Sequence, residues 1–189
     1  MYKRQVYNLT SLRDPAEMLS HHLIDSLTAV RPLQLYLQAR PVQADTAPAR
    51  VLDVGSGGGL PGVVLAICLP GVQVTCVDTV GKKAAFVQQV AAALRLSNLK
   101  GLHARVESID GGFDVVTSRA FASLADFTTW SVKALKPDAV WMAMKGKRPA
   151  EELAALGSGV EVFHVEPLAV PGLDVERCLV WMRVRALAG

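Results

Sequence analysis

The sequence predicts an α/β fold: a mostly parallel, doubly wound, seven-stranded sheet with a short helical segment before it. Three observations carry this expectation. From residue 50 onward, apolar runs of strand length alternate with helix-length amphipathic segments, the pattern of a parallel sheet wrapped by helices. The first of these runs, Val51-Leu52-Asp53-Val54, passes into Gly55-Ser56-Gly57-Gly58-Gly59-Leu60-Pro61-Gly62 and then Val63-Val64-Leu65-Ala66-Ile67, which reads as strand, tight loop and helix. Ala139 to Met144 is apolar throughout, so that strand is expected to be central and covered on both faces.

Residues 1–13 carry Asn8-Leu9-Thr10-Ser11 and no clear period. A helix is then expected from Asp14 as N-cap, with Pro15 at its first position and Glu17 three residues after the cap. Along it Leu19, Leu23, Leu27 and Val30 make a core stripe, with His22, Asp25 and Ser26 on one edge beside that stripe. That edge is either an ordinary solvated face or part of a site. Residues 40–50, with Pro41 and Pro48, read as a linker. Strands follow near 50–54, 73–78, 98–103, 113–118, 138–144, 160–166 and 177–184, and helices near 61–69, 82–96, 121–135 and 149–156. In the second of these helices Phe86, Val90 and Leu94 form the expected inner face, while Lys82, Lys83, Gln88 and Arg95 face out.

The chain of 189 residues, 51% of them hydrophobic, suits one domain over 1–189, with a helical extension over 1–40 and the core over 50–189. Its longest apolar run, Val63 to Leu69, is far short of a membrane span, and Met1-Tyr-Lys-Arg-Gln lacks a signal-peptide core, so the protein is expected in the cytoplasm, off the membrane. Cys68, Cys76 and Cys178 are odd in number and lie in apolar segments, which fits buried packing residues rather than disulfides or a metal site. A net charge of +3 permits a polyanionic partner without demanding one.

The glycine loop is rich enough to imply a ligand, because so many glycines cost conformational entropy on folding. Two registers are open. Gly57, Gly59 and Gly62 spell the dinucleotide pattern G-x-G-x-x-G, which would suit a nicotinamide-dependent oxidoreductase. Asp53-x-Gly55-x-Gly57-x-Gly59 begins instead with an acid at the strand end and resembles motif I of S-adenosylmethionine (SAM) dependent methyltransferases, whose cofactor has no pyrophosphate. Ligands of open α/β sheets bind outside the carboxyl ends of the strands. That edge comprises Gly55 to Leu60, Asp78, Arg105-Val106-Glu107, Ser118-Arg119 and Lys145-Gly146-Lys147-Arg148. Asp78 stands where an acid accepts from ribose hydroxyls; the lesser alternative is a helix N-terminal acid favoured by the dipole. The basic run from Lys145 is also what a solvated turn looks like.

Taken in order, Asn8-Leu9-Thr10-Ser11, Arg13-Asp14-Pro15, His22-x-x-Asp25-Ser26-Leu27, Asp53-x-Gly-x-Gly-x-Gly-Leu-Pro-Gly62, Asp78-x-x-Gly81-Lys82, Arg105-Val106-Glu107, Ser118-Arg119-Ala120-Phe121 and Lys145-Gly146 resemble the RsmG family, also called glucose-inhibited division protein B. The resemblance implies the class I, Rossmann-like SAM-dependent methyltransferase fold and methylation of guanine N7 in the 530 loop of 16S ribosomal RNA. It implies that Asp53, Gly55, Gly57, Gly59 and Leu60 form the cofactor loop, that Asp78 holds the ribose, and that Val106 and Glu107 border the adenine. Arg119 would contact the cofactor side of the active site, where Lys145, His22 and Asn8 join it in catalysis. Asp25, Ser26, Lys145, Lys147 and Arg148 would meet the RNA of the small ribosomal subunit. No metal is implied, and a monomer is expected; a methyltransferase of another substrate is the variant reading. The family commonly has arginine where His21 stands, and usually has helical sequence before the Asn-Leu-Thr motif, where seven residues stand here. A trimmed start is the expectation from that difference.

Overall fold

The computed structural model describes residues 19–40 and 47–186. Seven strands form one sheet in the order β3-β2-β1-β4-β5-β7-β6. They are β1 (Arg50–Val54), β2 (Gln73–Asp78), β3 (Leu99–His103), β4 (Phe113–Arg119), β5 (Leu135–Lys145), β6 (Val160–Leu168) and β7 (Arg177–Val184). The pairs among β1 to β5 are parallel, whereas β7 runs antiparallel to both β5 and β6. The chain works outward from β1 to β3, then returns to β4 on the other side of β1. This reversal opens a crevice at the carboxyl ends of β1 and β4, where such sheets bind ligands.

Among the described residues, five α-helices longer than one turn wrap the sheet: α1 (Val30–Ala39), α2 (Gly62–Cys68), α3 (Gly81–Ala93), α4 (Leu124–Ser131) and α5 (Ala150–Ala154). Side-chain alternation along the strands feeds two cores. On one face Val115 and Met142 join Leu33 of α1, Leu65 of α2 and Val87 of α3; on the other, Val116 and Trp141 join Leu124 and Phe127 of α4. β5 is buried from Ala139 to Met144, as expected of a strand covered on both faces. At the opposite end of the sheet from the crevice, the buried Asp114 holds Arg40 at 2.8 Å and Lys136 at 3.1 Å, and accepts from the Arg50 N–H. Burial alone would raise the Asp114 carboxyl, but these bonds outweigh it and hold the group below its ordinary range. The cluster fastens the end of α1 to the core.

Four expectations are corrected. The stripe in the N-terminal segment is inverted: Leu23 and Leu27 are 43% and 46% exposed, while Asp25 and Ser26 are 4% and 0% exposed. The backbone of Leu19–Ile24 is a π turn running into a single α turn, Asp25–Leu27, and this wider winding shifts the phase of everything after it. The buried polar groups are satisfied, since Ser26 Oγ donates to the His22 carbonyl and Asp25 is paired with arginines. In α3 the inner face is Ala84, Val87 and Ala91, and Leu94 is exposed. A Cβ on Gly101 of β3 would lie 2.4 Å from the Ala84 carbonyl, so helix and strand approach too closely for a large residue at that seam. α4 begins only at Leu124, where Ser123 accepts from the Asp126 N–H at 3.1 Å as an N-cap. Cys68 is exposed; only Cys76 and Cys178 are buried. The expected N-cap Asp14 and first helical residue Pro15 lie outside the described residues.

Candidate active site

The loop after β1 decides between the two glycine registers. Gly55, Gly57 and Gly59 have φ of +64°, +56° and +86°, whereas Gly62 is the first residue of α2 with no left-handed backbone. All three left-handed positions fall in the Asp53-x-Gly-x-Gly-x-Gly register, whereas the dinucleotide register takes in only Gly57 and Gly59 of them. Gly62 is small for another reason: a Cβ there would lie 2.3 Å from Cys76 Sγ and 2.9 Å from Asp53 Oδ2. A pyrophosphate would need unused N–H groups at the start of the helix. Here Leu60 N–H goes to the Ser56 carbonyl, Pro61 has none, Gly62 N–H goes to Asp53 Oδ2 at 2.8 Å, and Val63 N–H goes to the Gly59 carbonyl. The chain's own acid occupies the place a dinucleotide phosphate would take.

Asp53 is fully buried, and its Oδ1 has no hydrogen-bond partner. Burial pushes its carboxyl from 3.8 up to about 7, against the opposing pull of the Gly62 N–H and the Arg119 charge. The sign follows from proton counting. Between the two values the folded state holds a proton that the unfolded state has released, so stability falls as pH rises from about 4 to about 7 and is then flat in this group. In urea titrations of the unliganded protein, the Asp53 contribution is expected to be on the order of 4 kcal/mol across that window, as an upper bound. Asp53→Asn is expected to flatten that slope; parallel pH profiles for the two proteins would contradict the assignment.

Beside this loop lies a cleft of about 470 Å³, lined by Gly55, Asp78, Val80, Val106, Phe121 and Trp130 among others. Asp78 ends β2 and is preoriented: Oδ1 accepts from Val80 N–H at 2.8 Å and Oδ2 from Gly57 N–H at 3.0 Å. A carboxylate has further lone pairs, which leaves capacity for two hydroxyls of a ribose. Val106 and Glu107 lie in a short 3₁₀ turn after β3, Val106 buried and Glu107 on the rim against Arg105 at 3.2 Å. Phe121 and Trp130 pack edge to face, their centroids 5.9 Å apart, and close the cleft from the α4 side. Neither ring was singled out as a site residue by the sequence reading.

The carboxyl edge of β4, β5 and β7 is polar. Asp25, from the N-terminal turn, receives Arg119 Nη1 at 3.2 Å and Arg177 Nε at 2.8 Å. His22 Nδ1 lies 3.4 Å from Arg119 Nη1. Arginine has no acceptor, so that contact is a hydrogen bond only with the imidazole neutral and its proton on Nε2. Lys145, at the end of β5, bonds Glu152 Oε2 at 2.8 Å and the Ala122 carbonyl at 3.1 Å. Lys147 and Arg148 are exposed in the turn beyond it. The predicted site residues His22, Asp25, Ser26, Arg119 and Lys145 are thus within one edge, while Asn8 lies outside the described residues. Arg177 and Glu152 were missed. Arg177 opens an antiparallel strand, and such a strand starts where its parallel neighbours end; that topological signal was available.

A nucleoside-sized cleft with a preoriented acid, a helix start whose first amides are already taken, and a seven-stranded sheet with an antiparallel β7 set between β5 and β6 define a SAM-dependent methyltransferase of the Rossmann-like class. The residues fit that cofactor: Asp78 lines the cleft with its carboxylate already oriented by the Gly57 and Val80 N–H groups. Two solved structures support the fold. A SAM-dependent methyltransferase from Aquifex aeolicus aligns over 90% of this chain and 99% of its own, with TM-score 0.61 and 17% identity. TrmN from Thermus thermophilus aligns over 88% of this chain and 53% of its own, with TM-score 0.62 and 20% identity.

Residues 3–180 match the family model GidB, rRNA small subunit methyltransferase G, and the chain belongs to that family. It is 67% identical over 179 residues to the ribosomal RNA small subunit methyltransferase G of Polaromonas naphthalenivorans, covering 95% of this chain and 80% of the relative. To the protein of the same name from Acidovorax sp. strain JS42 it is 64% identical over 180 residues, again covering 95% and 80%. Among the described residues no group of His, Cys, Asp and Glu could hold a metal ion, and no helix is long and apolar enough to cross a membrane.

Proposed function

We propose that this chain, as one methyltransferase domain and a cytoplasmic monomer, methylates N7 of a guanine in the 530 loop of 16S ribosomal RNA within the small ribosomal subunit. The observation that carries this reading is the Arg119–Asp25–Arg177 cluster, which fixes two permanent cations and the N-terminal turn directly beside a cofactor cleft whose wall includes Ala120. When bound, SAM supplies an electrophilic methyl group on a sulfonium. Guanine N7 has an in-plane lone pair and no proton, so the chain needs to hold the base in line rather than accept a proton. Loop bases of RNA can be splayed from the stack and offered to such an edge.

Within this reading Asp78 holds the ribose, Val106 and Glu107 border the adenine, and the Asp53 to Leu60 loop carries the remainder of the cofactor. Arg119, Lys145, His22 and Asn8 orient the guanine and its phosphate, and Asp25 and Ser26 hold that edge in place. Lys147 and Arg148 add phosphate contacts at the turn. Replacing both by alanine is expected to weaken binding to small-subunit RNA, reducing the slope of log affinity against log salt by about 1–2, with SAM affinity within twofold of the parent. Filter binding across a salt series, with calorimetry for SAM, checks this. An unchanged salt slope, or an equal loss of SAM affinity, would remove these two residues from the RNA surface.

A further inference from the structure

Lys145 is held in a way that its place in the sequence does not announce. Its ammonium lies 3.1 Å and 2.8 Å from the two carboxylate oxygens of Glu152, and 3.1 Å from the Ala122 carbonyl. The same Glu152 Oε2 accepts from the Leu124 N–H at 2.7 Å. Ala122 lines the cofactor cleft, and Leu124 opens α4, whose Trp130 closes it. One carboxylate on α5 therefore joins the end of β5 to the first turn of α4, and Lys145 itself reaches the loop after β4. Both side chains keep part of their surface in water, 18% for Lys145 and 34% for Glu152, so the pair is at the mouth of the site rather than inside the core.

We propose that Glu152 is a positioning residue for Lys145, holding its ammonium against the loop after β4 in the geometry that methyl transfer requires. The proposal rests on the reading of Lys145 as a contact to the guanine or its phosphate. A lysine is a point charge on a flexible four-carbon stem, and without a fixed partner its ammonium samples many rotamers. Glu152 removes that freedom by a charge-assisted bond whose other oxygen contact is the Leu124 N–H. When the two Glu152 oxygens share one N–H and the Ala122 carbonyl takes a second, the third ammonium donor is left for an acceptor that enters the mouth of the cleft.

The test is a double-mutant cycle on single-turnover transfer from labelled SAM to small ribosomal subunits, with SAM affinity and thermal melting measured on every variant. Glu152→Gln keeps an amide oxygen for the Leu124 N–H, removes the charge facing Lys145 and puts an amide NH2 where Oε1 accepts from the ammonium. It is expected to lower the rate at saturating RNA and SAM about tenfold with SAM affinity and melting near those of the parent. Lys145→Met is expected to lower the rate at least as much, and Glu152→Gln is expected to have no further effect in the Lys145→Met background. A rate loss in Lys145→Met with none in Glu152→Gln, or losses that simply add, would overturn the positioning role alone. No loss in Lys145→Met would overturn the reading of Lys145, and the proposal with it.

Discussion

Gly55→Val is expected to eliminate SAM binding, lowering affinity at least a hundredfold in titration calorimetry, while the sheet remains folded by circular dichroism. Two independent costs act at this position. The backbone is left-handed at φ +64°, where a β-branched residue is strained by roughly 1–3 kcal/mol or more. A Cβ would also lie 2.3 Å from Cδ2 of Phe121, so the ring that walls the cleft must move, and its edge-to-face contacts with Phe127 and Trp130 move with it. The loop cannot relax freely, because Ser56 N–H is tied to the Val77 carbonyl and Gly57 N–H to Asp78. A valine protein that binds SAM as the parent does would show that the cofactor does not use this loop.

Asp25→Ala is expected to destabilise the protein by about 3 kcal/mol in urea unfolding and to abolish methyl transfer, with SAM affinity changed far less. The carboxylate is 5% exposed and faces two guanidiniums that are themselves mostly covered, Arg119 at 18% and Arg177 at 25% exposure. Removing it leaves two like charges without the carboxylate they share, and it breaks both ion pairs that tie the N-terminal turn to β4 and β7. Asp25→Asn, which keeps one acceptor, is expected to fall between the parent and the alanine variant. A change below about 0.5 kcal/mol for Asp25→Ala would mean that the cluster is an ordinary surface pairing.

The sheet was legible because its strands are short apolar runs separated by turn chemistry, and the glycine loop located its active edge. The places of Asp78, Arg119 and Lys145 on that edge were legible for the same reason, since each ends a parallel strand. The N-terminal segment misled because a π turn breaks the period on which amphipathic reading depends, so leucines assigned to the core face solvent and the acid assigned to an edge is buried. The α3 face misled because size rather than hydropathy decides there: Gly101 brings strand and helix into contact, and alanines fill the seam. Glu152 stands only seven residues after Lys145, but the turn between them carries neither a helical nor a strand period, so no pattern in the sequence pairs the two. The choice between glycine registers needed dihedral angles and an account of every amide at the start of α2.

Methyl transfer to a guanine N7 is read from the chemistry of the product. Small ribosomal subunits lacking the modification would be incubated with the protein and SAM, and their RNA treated with borohydride and then aniline, which cleaves at N7-methylguanine. The expected result is one new cleavage in the 530 loop of 16S ribosomal RNA, absent without SAM and absent with the Gly55→Val protein. Its single-turnover rate is expected to lack a tenfold rise per pH unit between pH 6 and 9, because no proton leaves N7. Methyl incorporation into RNA that resists this cleavage, or a steep rise with pH that disappears in His22→Gln, would show that another atom is methylated with the help of a base.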